Sequence, residues 1–239
     1  MTTLTFLGTG NFHAPGRYWN SFLIDGRILV EPSPSVLANL RRAGIDTTAI
    51  DVVFASHFHA DHVFGWPFLV VDYTLRARRS TPLWVVGPPG VEARFAEIVR
   101  AGALDTVVRQ PDYPEIHYVD VDESPQEAGA VSFRAVRVEH VRYLECFGFL
   151  IECGDRVIGY SGDTTLCDGL RALASAADVL VLECNSAHKN PAHMDTESVR
   201  VLRDEFPSVP FVLTHVGDDV DPSGIGDVQM PDDFDTIEV

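Results

Sequence analysis

Residues 56–62 read Ser56-His57-Phe58-His59-Ala60-Asp61-His62, three imidazoles and a carboxylate in one short run directly after the apolar stretch Asp51–Ala55. Packing does not account for such a run, because clustered histidines repel when protonated and waste core volume when neutral. Divalent cations do account for it. In an extended turn alternate side chains share a face, so His57 and His59 can reach one ion while Asp61 and His62, lying beyond them, can serve a second. Imidazole together with carboxylate suits zinc, at about 2.0–2.2 Å per bond. Manganese and iron are the alternatives.

The remaining pattern supplies a frame for this run. Strands are expected at Thr3–Leu7, Asp51–Ala55, Pro82–Val86, Val131–Val138, Asp178–Leu182, Pro210–Leu213 and, at the end, Thr236–Val239. Hairpins are expected from Ser21–Ile24 and Arg27–Glu31 about Asp25-Gly26, and from Phe147–Cys153 and Arg156–Tyr160 about Gly154-Asp155. Helices are expected near Val36–Ala43, Val91–Val99 and Asp168–Ala176, and where Val199, Leu202 and Phe206 recur at helical spacing. Strands in both halves with interspersed helices imply an α/β fold in which sheet packs on sheet and helices lie outside. At 239 residues, 46% hydrophobic and 22% charged, and with no linker or repeat, the whole chain 1–239 reads as one domain with a sizeable core.

His-x-His-x-Asp-His after a strand resembles the signature of the metallo-β-lactamase superfamily. That resemblance implies an αββα four-layer sandwich and further ligands at strand ends, which His140, Asp163 (in Ser161-Gly162-Asp163-Thr164) and His215 (in Val212-Leu213-Thr214-His215) supply in order. It implies that His57, His59 and His140 hold a first metal, that Asp61, His62 and His215 hold a second, and that Asp163 bridges them. An aspartate where the zinc β-lactamases carry cysteine, and His59 where flavodiiron proteins carry glutamate, argue against those groups. The Glu183 segment after Gly162-Asp163-Thr164 and the later His193 segment resemble the tRNase Z-like branch, which includes cyclic phosphodiesterases. The implied reaction is hydrolysis by a hydroxide bridging two metals. Asp61 then handles the nucleophile's proton, His193 serves as general acid and Glu183 fixes the His193 tautomer.

The chain departs from that branch at Leu182-Glu183-Cys184-Asn185, where tRNA-processing members favour His-Glu-Ala-Thr, and at Asp195, where Thr or Ser is expected. His140 and Asp163 are only 23 residues apart, so the second hairpin fills the interval and no protruding arm fits. Thirty-five acidic against eighteen basic residues give a net charge of −17, which repels phosphate polymers. The expected substrate is therefore a small molecule, first a small or cyclic phosphodiester, then a thioester, lactone or other carboxylic ester. A nucleic-acid polymer is disfavoured, as is a non-catalytic binding role. A homodimer stays open.

Arg76, Arg78 and Arg79 read as a solvated basic face. His117 reads as an ordinary strand residue, and His188 and Lys189 as a solvated loop near the site. His13, on a first loop that often borders the site in this superfamily, is open between the two readings. Cys146, Cys153, Cys167 and Cys184 form no CxxC pair and read as buried free thiols. With no membrane-length apolar run and no signal-peptide pattern at Met1–Leu7, a cytoplasmic location is expected.

Overall fold

The computed structural model describes all residues, Met1–Val239. Fourteen strands form two seven-stranded sheets. The first runs in the order β14 (Thr236–Glu238), β1 (Thr3–Gly8), β2 (Ser21–Ile24), β3 (Ile28–Val30), β4 (Val52–Phe54), β5 (Leu83–Gly87), β6 (Ile116–Asp120). The second runs β13 (Val228–Gln229), β12 (Phe211–Thr214), β11 (Val179–Glu183), β10 (Arg156–Tyr160), β9 (Phe147–Cys153), β8 (Val131–Arg137), β7 (Pro125–Ala128). Each sheet is antiparallel across one part and parallel across the rest, the change falling at β3 in the first and at β10 in the second.

Strand parity sorts the side chains into layers. On β4, Val52 and Phe54 face the opposing sheet while Val53 and Ala55 face helices; on β11, Val179 and Val181 face the sheet while Leu180 and Leu182 face helices. Both strands are buried on both faces, which explains their unbroken apolar runs. Helices α1 (Val36–Arg42), α3 (Trp66–Val71) and α4 (Val91–Ala101) cover the first sheet, with the one-turn α2 (Ala60–Val63) and α5 (Asp105–Val108) beside them. Helices α6 (Asp168–Ala176) and α7 (Thr196–Glu205) cover the second. The result is the helix–sheet–sheet–helix sandwich expected.

Between the sheets, Phe54 of β4 meets Phe149 at 5.0 Å and Phe133 at 5.2 Å between ring centroids, both edge-on. These three rings tie the strand that leads into the histidine run to the opposing sheet.

The strand and helix expectations hold within a residue or two. The turn at Asp25-Gly26 places both residues in the left-handed region, at φ 50° and 65°. The C-terminal segment is an edge strand on β1, and Asp233 behind it accepts from the backbone N–H groups of Thr9 and Tyr18 at 2.8 and 2.7 Å.

The basic cluster needs correction. Arg79 is buried and donates to the carbonyl oxygens of Thr81, Thr48 and Pro82, and Arg76 pairs with the buried Asp72. These arginines close the end of α3, which continues through a wide turn over Asp72–Arg76 that no turn residue or periodicity announces. Arg76 and Arg78 remain exposed, as expected of a solvated face, and only Arg79 is buried.

Replacing Phe54 with alanine removes a fully buried ring from the sheet interface. It should lower the unfolding free energy by about 3–5 kcal/mol. Urea denaturation should show this as a lower midpoint at unchanged slope; a midpoint within error of the parent would contradict the packing described.

Candidate metal centre

The carboxyl ends of six strands point to one edge of the sandwich, the place where open α/β sheets present ligands. Glu31 follows β3, His57 follows β4, His140 follows β8, Asp163 follows β10, Glu183 ends β11 and His215 follows β12. The two halves are stitched there by the Phe147 N–H donating to the Ser56 carbonyl at 3.1 Å. Gly162 makes the approach feasible: it sits at φ 59°, and a Cβ on it would lie 2.7 Å from the Phe147 oxygen and 2.9 Å from Ser56 Cβ.

The histidine run is not one extended turn. It stays extended through His59, at φ −68° and ψ 150°, and then winds into α2, which swings Asp61 and His62 away from His57 and His59. Two donor groups result. In the first, His59 Nδ1 lies 2.9 Å from His57 Nε2 and 3.2 Å from His140 Nε2. In the second, Asp61 Oδ2 lies 3.5 Å from His62 Nε2 and 3.6 Å from His215 Nε2. Asp163 stands between them. Its Oδ2 is 3.8 Å from His57 Nε2, 3.9 Å from His140 Nε2 and 3.3 Å from His62 Nε2, and its Oδ1 is 3.5 Å from His215 Nδ1. All seven residues singled out in the sequence are brought together.

These groups fit divalent cations. Bonds of about 2.0–2.1 Å in a tetrahedron put ligand atoms roughly 3.3 Å apart, and the observed separations straddle that value. Buried His62 Nε2, His215 Nε2 and Asp163 Oδ1 have no hydrogen-bond partner, an expensive condition unless a cation satisfies them. The outward nitrogens are held: His57 Nδ1 by Ser56 Oγ at 2.9 Å, His140 Nδ1 by the Ala192 carbonyl at 2.7 Å, and His59 Nε2 by the Tyr143 hydroxyl at 3.1 Å. Such outer partners fix ring orientation and tautomer in metal sites.

The electrostatics agree. Burial lowers the His57 imidazole well below its usual range, with His62 adding to the effect. Burial would also lower His62 and His215, but the surrounding carboxylates together outweigh it, Asp163 with Glu31 and Asp61 at His62 and with Asp61 and Glu183 at His215, and both are raised, His215 to about 10. Asp163 and Asp61 stay ionised against burial because of the histidines around them. The cluster thus demands positive charge, which protons and metal ions compete to supply.

Beside it, His193 Nδ1 lies 2.9 Å from Glu183 Oε2, and Glu183 Oε1 accepts from the Thr164 N–H at 2.6 Å. Burial opposes protonation of His193, but the Glu183 carboxylate outweighs it and its pKa is raised. Asp163, Glu183, His193 and His215 also lie close enough to form a third donor group. Asp195, the departure from Thr or Ser, caps α7 by accepting from the Ser198 N–H at 2.8 Å.

The remaining candidates separate. His117 stacks on Trp84 in β6, as an ordinary strand residue. His13 is exposed against Phe12, and His188 and Lys189 are exposed in the loop before His193. The four cysteines are buried and unpaired.

Glu31 joins the site without a motif to mark it. It is fully buried in a left-handed conformation, φ 60°, accepts from the Ser56 N–H at 3.2 Å and lies 3.4 Å from His62 Nδ1. A carboxylate ending the apolar run Ile28-Leu29-Val30 was the available signal. Behind it, Asn20 donates to the Tyr160 hydroxyl at 2.8 Å and accepts from Thr214 at 2.6 Å.

Comparison with known proteins bears on the whole assembly. The beta-lactamase superfamily domain matches residues 26–216. Ribonuclease Z of Mycobacterium bovis (strain BCG / Pasteur 1173P2) is 29% identical over 199 residues, covering 76% of this chain and 69% of that protein. The crystal structure of a diphosphatase from the PhnP family superposes with a TM-score of 0.79 at 18% identity, covering 100% of this chain and 98% of the other. Human tRNase Z, short form, superposes at 0.74 with 21% identity, covering 99% and 98%. No helix is long and apolar enough to cross a membrane. The domain match, the four-layer fold and the clustered His and Asp donors lead to one conclusion: the chain belongs to the beta-lactamase superfamily and is a metal-dependent hydrolase.

Proposed function

We propose that the chain is a phosphodiesterase acting on a small or cyclic phosphodiester at a two-zinc centre. In this reading His57, His59 and His140 hold one ion, Asp61, His62 and His215 hold the other, and Asp163 is shared. The observation that carries it is the His193–Glu183 pair at 2.9 Å, set beside Asp163 with His193 Nδ1 3.7 Å from Asp163 Oδ2. An alkoxide leaving phosphorus needs a proton, and a histidine held by a carboxylate next to the donor cluster is placed to give one.

Bound there, the two ions supply Lewis acidity toward the phosphoryl oxygens and a water nucleophile at neutral pH. The protein's own groups do the rest. Glu183 accepts a hydrogen bond from Nδ1–H of His193 and holds the ring so that Nε2–H can donate to the departing oxygen. Asp61 turns Oδ2 toward His62 and His215 and keeps its other oxygen to orient the nucleophile or accept its proton. Burial of His57, His62 and Asp163 excludes bulk water from the inner face of the site.

The names of two relatives, a ribonuclease and a diphosphatase, support chemistry at phosphorus. The size of the substrate is argued from this chain. A net charge of −17 opposes a polyanion, and the interval from His140 to Asp163 is taken up by a short turn and the β9–β10 hairpin. The ribonuclease Z relatives favour a second reading, cleavage of an RNA phosphodiester. A carboxylic ester or thioester would meet the same centre, and a screen of bis-aryl phosphates, cyclic nucleotides, thioesters and lactones separates the classes.

Protein purified without chelator should carry close to two metal ions per chain, mostly zinc, by elemental analysis, and Asp163→Ala should reduce both occupancies. A metal-free protein with full activity would refute the centre. His193→Ala should keep its metal and lose about 10²–10⁴-fold in turnover on substrates with poor leaving groups. With a nitrophenolate leaving group, which departs unprotonated, the loss should be much smaller; loss of metal instead would make His193 a ligand. At physiological salt the protein should neither retain precursor tRNA in a filter-binding assay nor cleave it at rates matching small phosphodiesters. Tight binding or fast cleavage would establish the RNA reading.

A further inference from the structure

Tyr143 lies in the turn between β8 and β9, three residues after His140. It is 76% exposed, the highest fraction among the large apolar and aromatic side chains apart from Met1. A ring this exposed gains little from burial, so packing does not explain its position. One contact does: its hydroxyl is 3.1 Å from His59 Nε2, on the far side of the imidazole from the Nδ1 that faces His57 and His140. The two ring centroids are 6.0 Å apart and tilted by 55°, so the phenol does not stack on His59 and its faces remain open. An aromatic side chain is thus fixed at the lip of the donor cluster, one imidazole away from where a substrate's reacting group would sit.

The surroundings fit an anionic ligand with a planar end. Arg142, the preceding residue, is exposed and makes no ion pair, whereas Arg137 at the end of β8 is held by Glu145 at 2.6 Å. In a chain of net charge −17, an exposed arginine without an ion pair, adjacent in sequence to Tyr143, is a local exception to the general repulsion of anions.

We propose that Tyr143 is a specificity-determining residue whose open face stacks on an aromatic ring of the substrate, so that the favoured phosphodiesters carry a planar group such as a nucleobase. The proposal rests on the phosphodiesterase reading for its reaction, but the stacking itself is measurable without turnover. Stacking of a base on an aromatic side chain corresponds to about 5- to 150-fold in affinity. Tyr143→Phe keeps the ring but loses the hydrogen bond that positions it, whereas Tyr143→Ala removes the platform.

The test is calorimetric titration of zinc-loaded protein with two phosphate monoesters, adenosine monophosphate and methyl phosphate. The parent should bind the adenosine ester at least about 5-fold more tightly than the methyl ester, and Tyr143→Phe should keep a smaller preference. Tyr143→Ala should bind both equally, and its affinity for methyl phosphate should match that of Tyr143→Phe, which lacks the same contact to His59. No preference in the parent, a preference kept by Tyr143→Ala, or zinc lost from Tyr143→Ala would overturn the proposal. If the preference is found but no phosphodiester is turned over, the platform stands and the reaction assignment falls; turnover without the preference gives the reverse.

Discussion

Asp163 is a carboxylate only 2% exposed, with nitrogens of His57, His62, His140, His193 and His215 all within 4 Å of its oxygens. Water cannot solvate it there, so its charge must be met by fixed neighbours. The histidines meet it only when protonated, and then they repel one another at contacts near 3 Å. Cations shared between carboxylates and neutral imidazoles resolve both problems at once. Much of the architecture can be understood as holding these groups at that separation despite their mutual cost.

The fold does this by delegating each donor to a different strand end. Loops alone would let the imidazoles drift apart; strands buried on both faces do not. Val52–Phe54, Val179–Glu183 and Phe211–Thr214 are continuous apolar segments packed between a sheet and a helix layer, so the residues that follow them are fixed in space. Strain is accepted where the chain leaves these strands. Glu31, Gly162 and His215 all sit at positive φ, 60°, 59° and 49°, at the mouth of the donor cluster.

Function beyond metal-dependent hydrolysis depends on what surrounds that cluster. The Glu183–His193 pair is tied to Thr164, the residue after Asp163, so the proposed acid moves with the carboxylate that both donor groups share. On the opposite lip, Tyr143 is coupled to His59 by a single hydrogen bond and is otherwise in solvent. The inner residues are rigid because they are buried, while the lip residues are free to meet ligands of different shape. That division allows one centre to serve relatives with different names.

His57, His59, Asp61 and His62 were legible in the sequence as candidate donors because metal chemistry restricts residue types so tightly, whereas His140, Asp163 and His215 were picked out by the family resemblance. A run of His-x-His-x-Asp-His is hard to build into a fold except around cations, and His140, Asp163 and His215 each follow an apolar run that reads as a strand. The buried strands and both hairpins were legible for the same local reason, periodicity and turn residues. Apart from the C-terminal Thr236–Glu238, the edge strands were not. Pro125–Ala128 is polar and half exposed, and it becomes a strand only by pairing with β8. Arg79 looked like surface charge until tertiary contacts gave it three carbonyl acceptors. Glu31, which is 25 residues before Ser56 and 31 before His62, and Tyr143, which is 84 after His59, acquire their meaning only when distant strand ends meet. The amino-acid order determines which groups can bind and react, because that is a property of the side chain; which groups support or surround them is a property of distances that only the folded chain sets.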